Sequence, residues 1–281
     1  MDENYINWIG VKTSNTDIVD VSRVRRMYLT LDLEGPEHLE SQALPSLWHW
    51  MFFAPEVRFS EVGDDGHPKR GGFLPPIELP RRMWAGGRLT FHRPLMVGEK
   101  VFRESTIKNI KAKSGRTGDM VFVTVSHEIS TNNGIAITEE HDIVYRELSN
   151  KGVSATTYRQ ASLESDFSKR ITPHPVTLFR YSALTFNGHR IHYDRKYCNE
   201  VEGYPGLVFH GPLTATYLAL LLEEENNGRR FSSFDFRAVK PLFDTHSFMI
   251  HARTQDETVY NLWTCDHEGH INMEATATYD D

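Results

Sequence analysis

The chain has 281 residues, of which 39% are hydrophobic and 11% aromatic, enough to build a core in one large domain or two ordinary ones and to exclude global disorder. Its formal charge of −7 is spread over interspersed acidic and basic residues, without the basic stripe of a nucleic-acid binder, and no apolar run reaches the ~18–20 residues of a membrane span. Cys198 and Cys265 form no CxxC pair, which suits a reducing compartment, and the N-terminus lacks a basic n-region with an apolar core; a cytoplasmic protein is expected.

In chain order, residues 45–53 read as an apolar helix opened by Pro45, since a proline at the first helical position gives up an N–H that has no partner anyway. Residues 63–76 follow as a long Gly/Pro loop, either a surface excursion or the rim of a cleft. Arg81, Arg82 and Arg88 stand at the start of the strand region, where solvation accounts for them as well as a ligand does. After Pro94-Leu95 come β-branched and aromatic segments separated by turn residues, at 101–107, 120–129 and 135–145. Residues 149–173 are polar and irregular and read as a linker, with a boundary near 155.

The second half repeats this order. Pro241-Leu242 lies 147 positions after Pro94-Leu95 and leads into strand-like segments at 247–254, 258–265 and 271–279. Upstream, residues 212–222 form a second helix, apolar nearly all round, and such a helix needs wrapping. A curved antiparallel sheet around one apolar helix, made twice, gives an α+β fold, a double hot dog, with an N-terminal half at 1–155 and a C-terminal half at 156–281.

The chemistry-bearing segment is Asn187-Gly-His-Arg-Ile-His192-Tyr-Asp194, followed by Phe209-His210-Gly211-Pro212. Asparagine cannot act as a base, so proton transfer falls to His192, whose ordinary pKa leaves it mostly neutral near pH 7. Asn187 can orient a water without adding charge. Taken alone, this spacing equally describes a turn followed by a packing histidine. Gly211 at the start of an apolar helix adds an unpaired N–H at the positive end of the helix dipole, open to an acyl oxygen. The spacing His189-x-x-His192-x-Asp194 also admits a metal reading, although no further ligand cluster completes it.

With Asn187, His192 and Gly211 in place, the C-terminal half resembles the MaoC-like R-specific enoyl-CoA hydratases, whose motif reads Gly-Asp-x-Asn-Pro-Leu-His. His192 matches the final histidine and Asn187 stands at the aspartate; Phe186, His189 and Arg190 replace the glycine, asparagine and proline. The wording is more similar to a subgroup of hydroxyacyl-thioester dehydratases and itaconyl-CoA and mesaconyl-CoA hydratases, which Gly66-His67-Pro68 and Arg81-Arg-Met-Trp-Ala-Gly-Gly also resemble. The resemblance implies catalysis in the C-terminal half, an acyl cavity shaped by the N-terminal half, and a homodimer. Asn187, His192 and Gly211 are the expected catalytic residues, and Arg180, Tyr181, Arg190, His210 and His67 the candidate substrate-binding residues, with Arg180 and Arg190 able either to orient the segment or to pair a substrate carboxylate or CoA phosphate. No metal or cofactor is expected, because CoA enters as part of the substrate. The expected reaction is hydration of a short branched diacid thioester such as itaconyl-CoA or mesaconyl-CoA. The alternatives are a 3-hydroxyacyl-thioester dehydratase of fatty-acid synthesis, a thioester-binding module without catalysis, and a metal-dependent hydrolase.

Overall fold

The computed structural model describes residues 3–115, 118–147 and 158–280. The five strands of the first half are β1 (Lys12–Ile18), β2 (Arg81–Phe91), β3 (Lys100–Gly115), β4 (Gly118–Thr131) and β5 (Gly134–Arg146). Those of the second are β6 (Phe167–Ile171), β7 (Ser233–Ala238), β8 (Phe248–Thr254), β9 (Val259–Cys265) and β10 (Ile271–Thr278). The sheet order is β1-β3-β4-β5-β2-β7-β10-β9-β8-β6, so each half uses the same internal order and the two meet where β2 pairs antiparallel with β7. The internal repeat expected from the sequence is therefore a repeat of topology.

Period-two burial explains the strands. On β4, Val121, Val123, Val125, His127, Ile129 and Thr131 are buried while the intervening residues are less so, because successive side chains leave opposite faces of a pleated strand. Between the strands lie α1 (Val21–Thr30), α2 (Pro175–Leu184), the single turn α3 (Arg195–Tyr197) and α4 (Gly211–Glu225). α4 is the expected wrapped helix: Leu213, Leu218, Leu221 and Leu222 are all buried along its length, each worth about 1.5–3 kcal/mol relative to exposure.

The first half departs from the expected pattern. Where a helix is expected at 45–53, only a 3-10 turn forms, Trp48–Met51, with Leu47 in the left-handed region before it. His49 Nε2 and Trp50 Nε1 both reach one oxygen of the buried Glu139 on β5, at 3.1 and 3.0 Å. Consecutive residues of an α-helix point about 100° apart, so two neighbours converging on one carboxylate are incompatible with a continued helix. The expected linker is also shorter than its composition suggests: β6 lies inside it and pairs with β8 at the sheet edge. The expected boundary near 155 falls outside the described residues.

Candidate active site

The segment that carries Asn187 begins where α2 ends. Phe186 takes a left-handed conformation at φ 52°, which reverses the chain so that Asn187 N–H donates to Ser182 O at 2.8 Å. Asn187 Oδ1 accepts the backbone N–H of His189 at 3.0 Å. That bond settles the amide orientation and leaves Nδ2 available to donate.

A 3-10 turn, Arg190–His192, then delivers the imidazole. His192 Nδ1 lies 2.7 Å from the Val208 carbonyl oxygen; a carbonyl only accepts, so Nδ1 carries the proton and Nε2 keeps the lone pair at the cavity wall. Burial pushes the His192 pKa down to about 4, opposed by the Val208 carbonyl and assisted by His67. The ring is a neutral base at physiological pH.

His192 belongs to a file of imidazoles. His210 stacks against it with ring centroids 3.7 Å apart, wholly buried, its Nε2 2.8 Å from Ser182 Oγ. On the other side His189 meets His192 edge to face at 5.6 Å and lies 4.0 Å from His67. Burial lowers all of these, His189 to about 2. His67 bonds Asp65 through Nδ1 at 3.2 Å; burial raises that carboxyl, but the His67 hydrogen bonds hold it below its ordinary range.

His67 comes from the Gly/Pro loop of the first half, which rims the cleft. Arg190 N–H donates to Asp65 O at 2.9 Å and its guanidinium to Asp64 O at 3.0 Å. Gly66 is seated against Gly188 so closely that a Cβ on it would stand 1.8 Å from Gly188 O. Only two glycines let these backbones touch.

Both halves line one cavity of about 1750 Å³, whose wall includes His67, Arg82 and Trp84 from the first half and Asn187, His192 and Gly211 from the second. Gly211 is the first residue of α4 and lines the cavity, and a Cβ built on it would meet no protein atom within 4 Å. Asn187, His192, Gly211 and His67 thus share one chamber. His210 lies under His192 rather than on the wall. Tyr181 is buried in the core, 4.9 Å from the His210 ring, with its hydroxyl toward Thr216 of α4. Arg180 is exposed on α2 and absent from the wall. The Arg190 guanidinium is bound to Asp194 at 2.7 Å and lies 4.2 Å over the Tyr197 ring, which makes it a brace of the segment.

The spacing His189-x-x-His192-x-Asp194 does not gather into a ligand set, because His192 is turned to Val208 and Asp194 caps Tyr197 N–H while pairing Arg190. Among the described residues the groups that offer three ligand atoms within 4.8 Å of one another are Asp65, His67 and His189; His127, Glu139 and His141; and Asp266, Glu268 and His270. Sequence reasoning gave His189 only a metal reading, left Arg82 between solvation and a ligand, and did not single out Asn272. Asn272 also lines the cavity, and its carboxamide is buried with neither of its polar atoms partnered among the described residues.

The chain matches the model of the hydroxyacyl-thioester dehydratase type 2 family over residues 47–244. It is 42% identical over 256 residues to the mesaconyl-C(4)-CoA hydratase of Chloroflexus aurantiacus, covering 91% of each chain. With the mitochondrial hydroxyacyl-thioester dehydratase type 2 of Schizosaccharomyces pombe it shares 27% identity over 221 residues, covering 70% of this chain and 73% of that one. A MaoC-like dehydratase from Phytophthora capsici has the same fold, with a TM-score of 0.73 across 97% of this chain and 96% of its own at 14% identity. No helix among the described residues is long and apolar enough to cross a membrane. The chain therefore belongs to the hydroxyacyl-thioester dehydratase type 2 family, within the MaoC-like hydro-lyases of the hot-dog fold.

Proposed function

We propose that this protein adds water reversibly across the double bond of an α,β-unsaturated acyl-CoA thioester, and that its substrate is a short branched diacid thioester such as mesaconyl-CoA or itaconyl-CoA. The observation that carries the reading is His192, held by Val208 in the tautomer whose Nε2 faces the cavity shared with Asn187 and Gly211. A water accepting from Asn187 Nδ2 gives its proton to His192 Nε2, and the hydroxide bonds the β-carbon. The π electrons move onto the thioester oxygen, which the Gly211 N–H and the positive end of α4 stabilise as an enolate; each such donor is worth about 3–4 kcal/mol in the transition state. His192 then returns its proton to the α-carbon as the carbonyl re-forms. The steps call for no metal or redox cofactor, and CoA enters and leaves with the substrate. Asn272, with a free donor and acceptor, matches a secondary amide of the carrier arm. We read the protein as a cytoplasmic homodimer.

The diacid is favoured by 42% identity to a hydratase named for such a thioester. The family model and the yeast relative favour a second reading, a dehydratase of 3-hydroxyacyl thioesters. Loss of enoyl absorbance across a panel of thioesters separates them: the proposal expects mesaconyl-CoA or itaconyl-CoA to exceed crotonyl-CoA and longer enoyl-CoAs in kcat/KM, and the opposite ranking selects the dehydratase.

A further inference from the structure

We propose that Arg82 and Tyr145 form a receptor for the free carboxylate of the substrate, placed in the non-catalytic half and setting the preference for a diacid over a neutral acyl group. The inference rests on the hydratase reading above. Arg82 of β2 and Tyr145 of β5 are partners in the antiparallel register, so their side chains leave the same face, and both line the cavity.

The cations around this cavity are nearly all engaged. Arg190 pairs with Asp194, Lys240 with Asp266 and Glu268, and Arg70 donates to the carbonyls of Ile77 and Pro80. Its neighbour Arg81 pairs with Glu202. Arg82, half-buried, has no carboxylate partner among the described residues. Tyr145 is fully buried; its hydroxyl oxygen lies beside the Arg82 guanidinium, but its proton finds no acceptor among the described residues. A cation without an anion and a buried hydroxyl without an acceptor, side by side, are costly unless a ligand completes them.

A carboxylate completes both: the guanidinium fork takes two oxygens and the phenol donates to one of them. The position suits the reaction. The Arg82 charge lowers the pKa of both His67 and His189, which places it beside the imidazoles that adjoin His192. In a mesaconyl thioester whose free carboxylate sits on the β-carbon, that group lies one bond from the carbon that water attacks. A neutral acyl chain in the same place leaves Arg82 buried against methylenes, so the receptor selects by rejection as well as by attraction.

The test measures kcat/KM for mesaconyl-CoA and crotonyl-CoA in the wild type, Arg82→Met and Tyr145→Phe. Binding of two unreactive thioesters, succinyl-CoA and butyryl-CoA, is measured by calorimetry on the same proteins. Arg82→Met is expected to lose about 100-fold or more on the diacid and to change little or gain on crotonyl-CoA, with succinyl-CoA affinity falling and butyryl-CoA affinity kept. Tyr145→Phe, the milder change, is expected to lose about 10-fold on the diacid alone. Equal losses on both substrates, or none, overturn the receptor. A wild type that prefers crotonyl-CoA overturns the diacid reading instead; a loss of succinyl-CoA binding confined to the variants still supports the receptor in that case.

Discussion

His192→Ala is expected to lower hydration of enoyl-CoA by about 10²–10⁴-fold, the range of general acid–base catalysis, while the protein keeps its fold. The substitution removes the group that both takes the proton from water and returns it, and no neighbour replaces it. His210 is turned to Ser182 beneath the site, and His189 is held to a pKa of about 2 by burial and by His67. Stability should fall by about 1–3 kcal/mol, because the Val208 carbonyl loses its donor and a void opens above His210. The pH profile gives a second readout. Burial lowers the folded-state pKa of His192 from 6.5 to about 4, so the base remains unprotonated through the whole interval between those values. The acidic limb of kcat/KM in the wild type should lie well below pH 6 and vanish in the variant. The same burial at His67, His127, His189 and His210 makes the unfolded chain bind protons that the folded chain refuses as pH drops below 6.5. Stability is then fully present above that pH and is lost progressively toward 4, so the limb has to be read in assays short enough to precede unfolding. Near-wild-type turnover in His192→Ala would remove the assignment.

Gly66→Ala is expected to cost about 10–100-fold in turnover although residue 66 bears no reactive group. Its φ of 89° is strained for any residue with a Cβ, and that Cβ would stand 1.8 Å from Gly188 O. Backbone must give way, and the backbone on the far side leads directly into His189 and His192. A displacement of about 1 Å at a reacting group can cost 10²-fold. Gly98→Ala separates the two causes, since Gly98 has a φ of 95° but a Cβ there meets nothing within 4 Å. It should share the stability loss of about 1 kcal/mol or more from a left-handed alanine and keep full activity. Equal activities for the two variants would mean that the contact between halves does not position the catalytic segment.

The strands were legible because one-sided burial writes a period of two into Val121, Val123 and Val125, and α4 because Leu213 to Leu222 is apolar on every side. Residues 45–53 have the same apolar character and still do not form a helix. The reason is Glu139, some ninety positions away, which binds His49 and Trp50 together; a local pattern carries no record of a distant carboxylate. Adjacency in sequence likewise misplaced part of the site. Arg180 and Tyr181 lie close to Asn187 along the chain, but α2 turns one to solvent and the other into the core beside His210. His67 was visible through Gly66-His67-Pro68, whereas its ring contact with His189 depends on two glycines from different halves. Arg82 had no distinguishing signal among three arginines of one segment, because what sets it apart is the company of Tyr145 across the sheet and the lack of an acid.

The most direct measurement is a crystal structure with a bound saturated acyl-CoA, which cannot be hydrated. The account predicts the thioester oxygen at about 2.7–3.1 Å from the Gly211 nitrogen, with the β-carbon facing Asn187 and His192 Nε2. An acyl group lying instead against His127 and His141 in the first half, with the thioester away from Gly211, would contradict it.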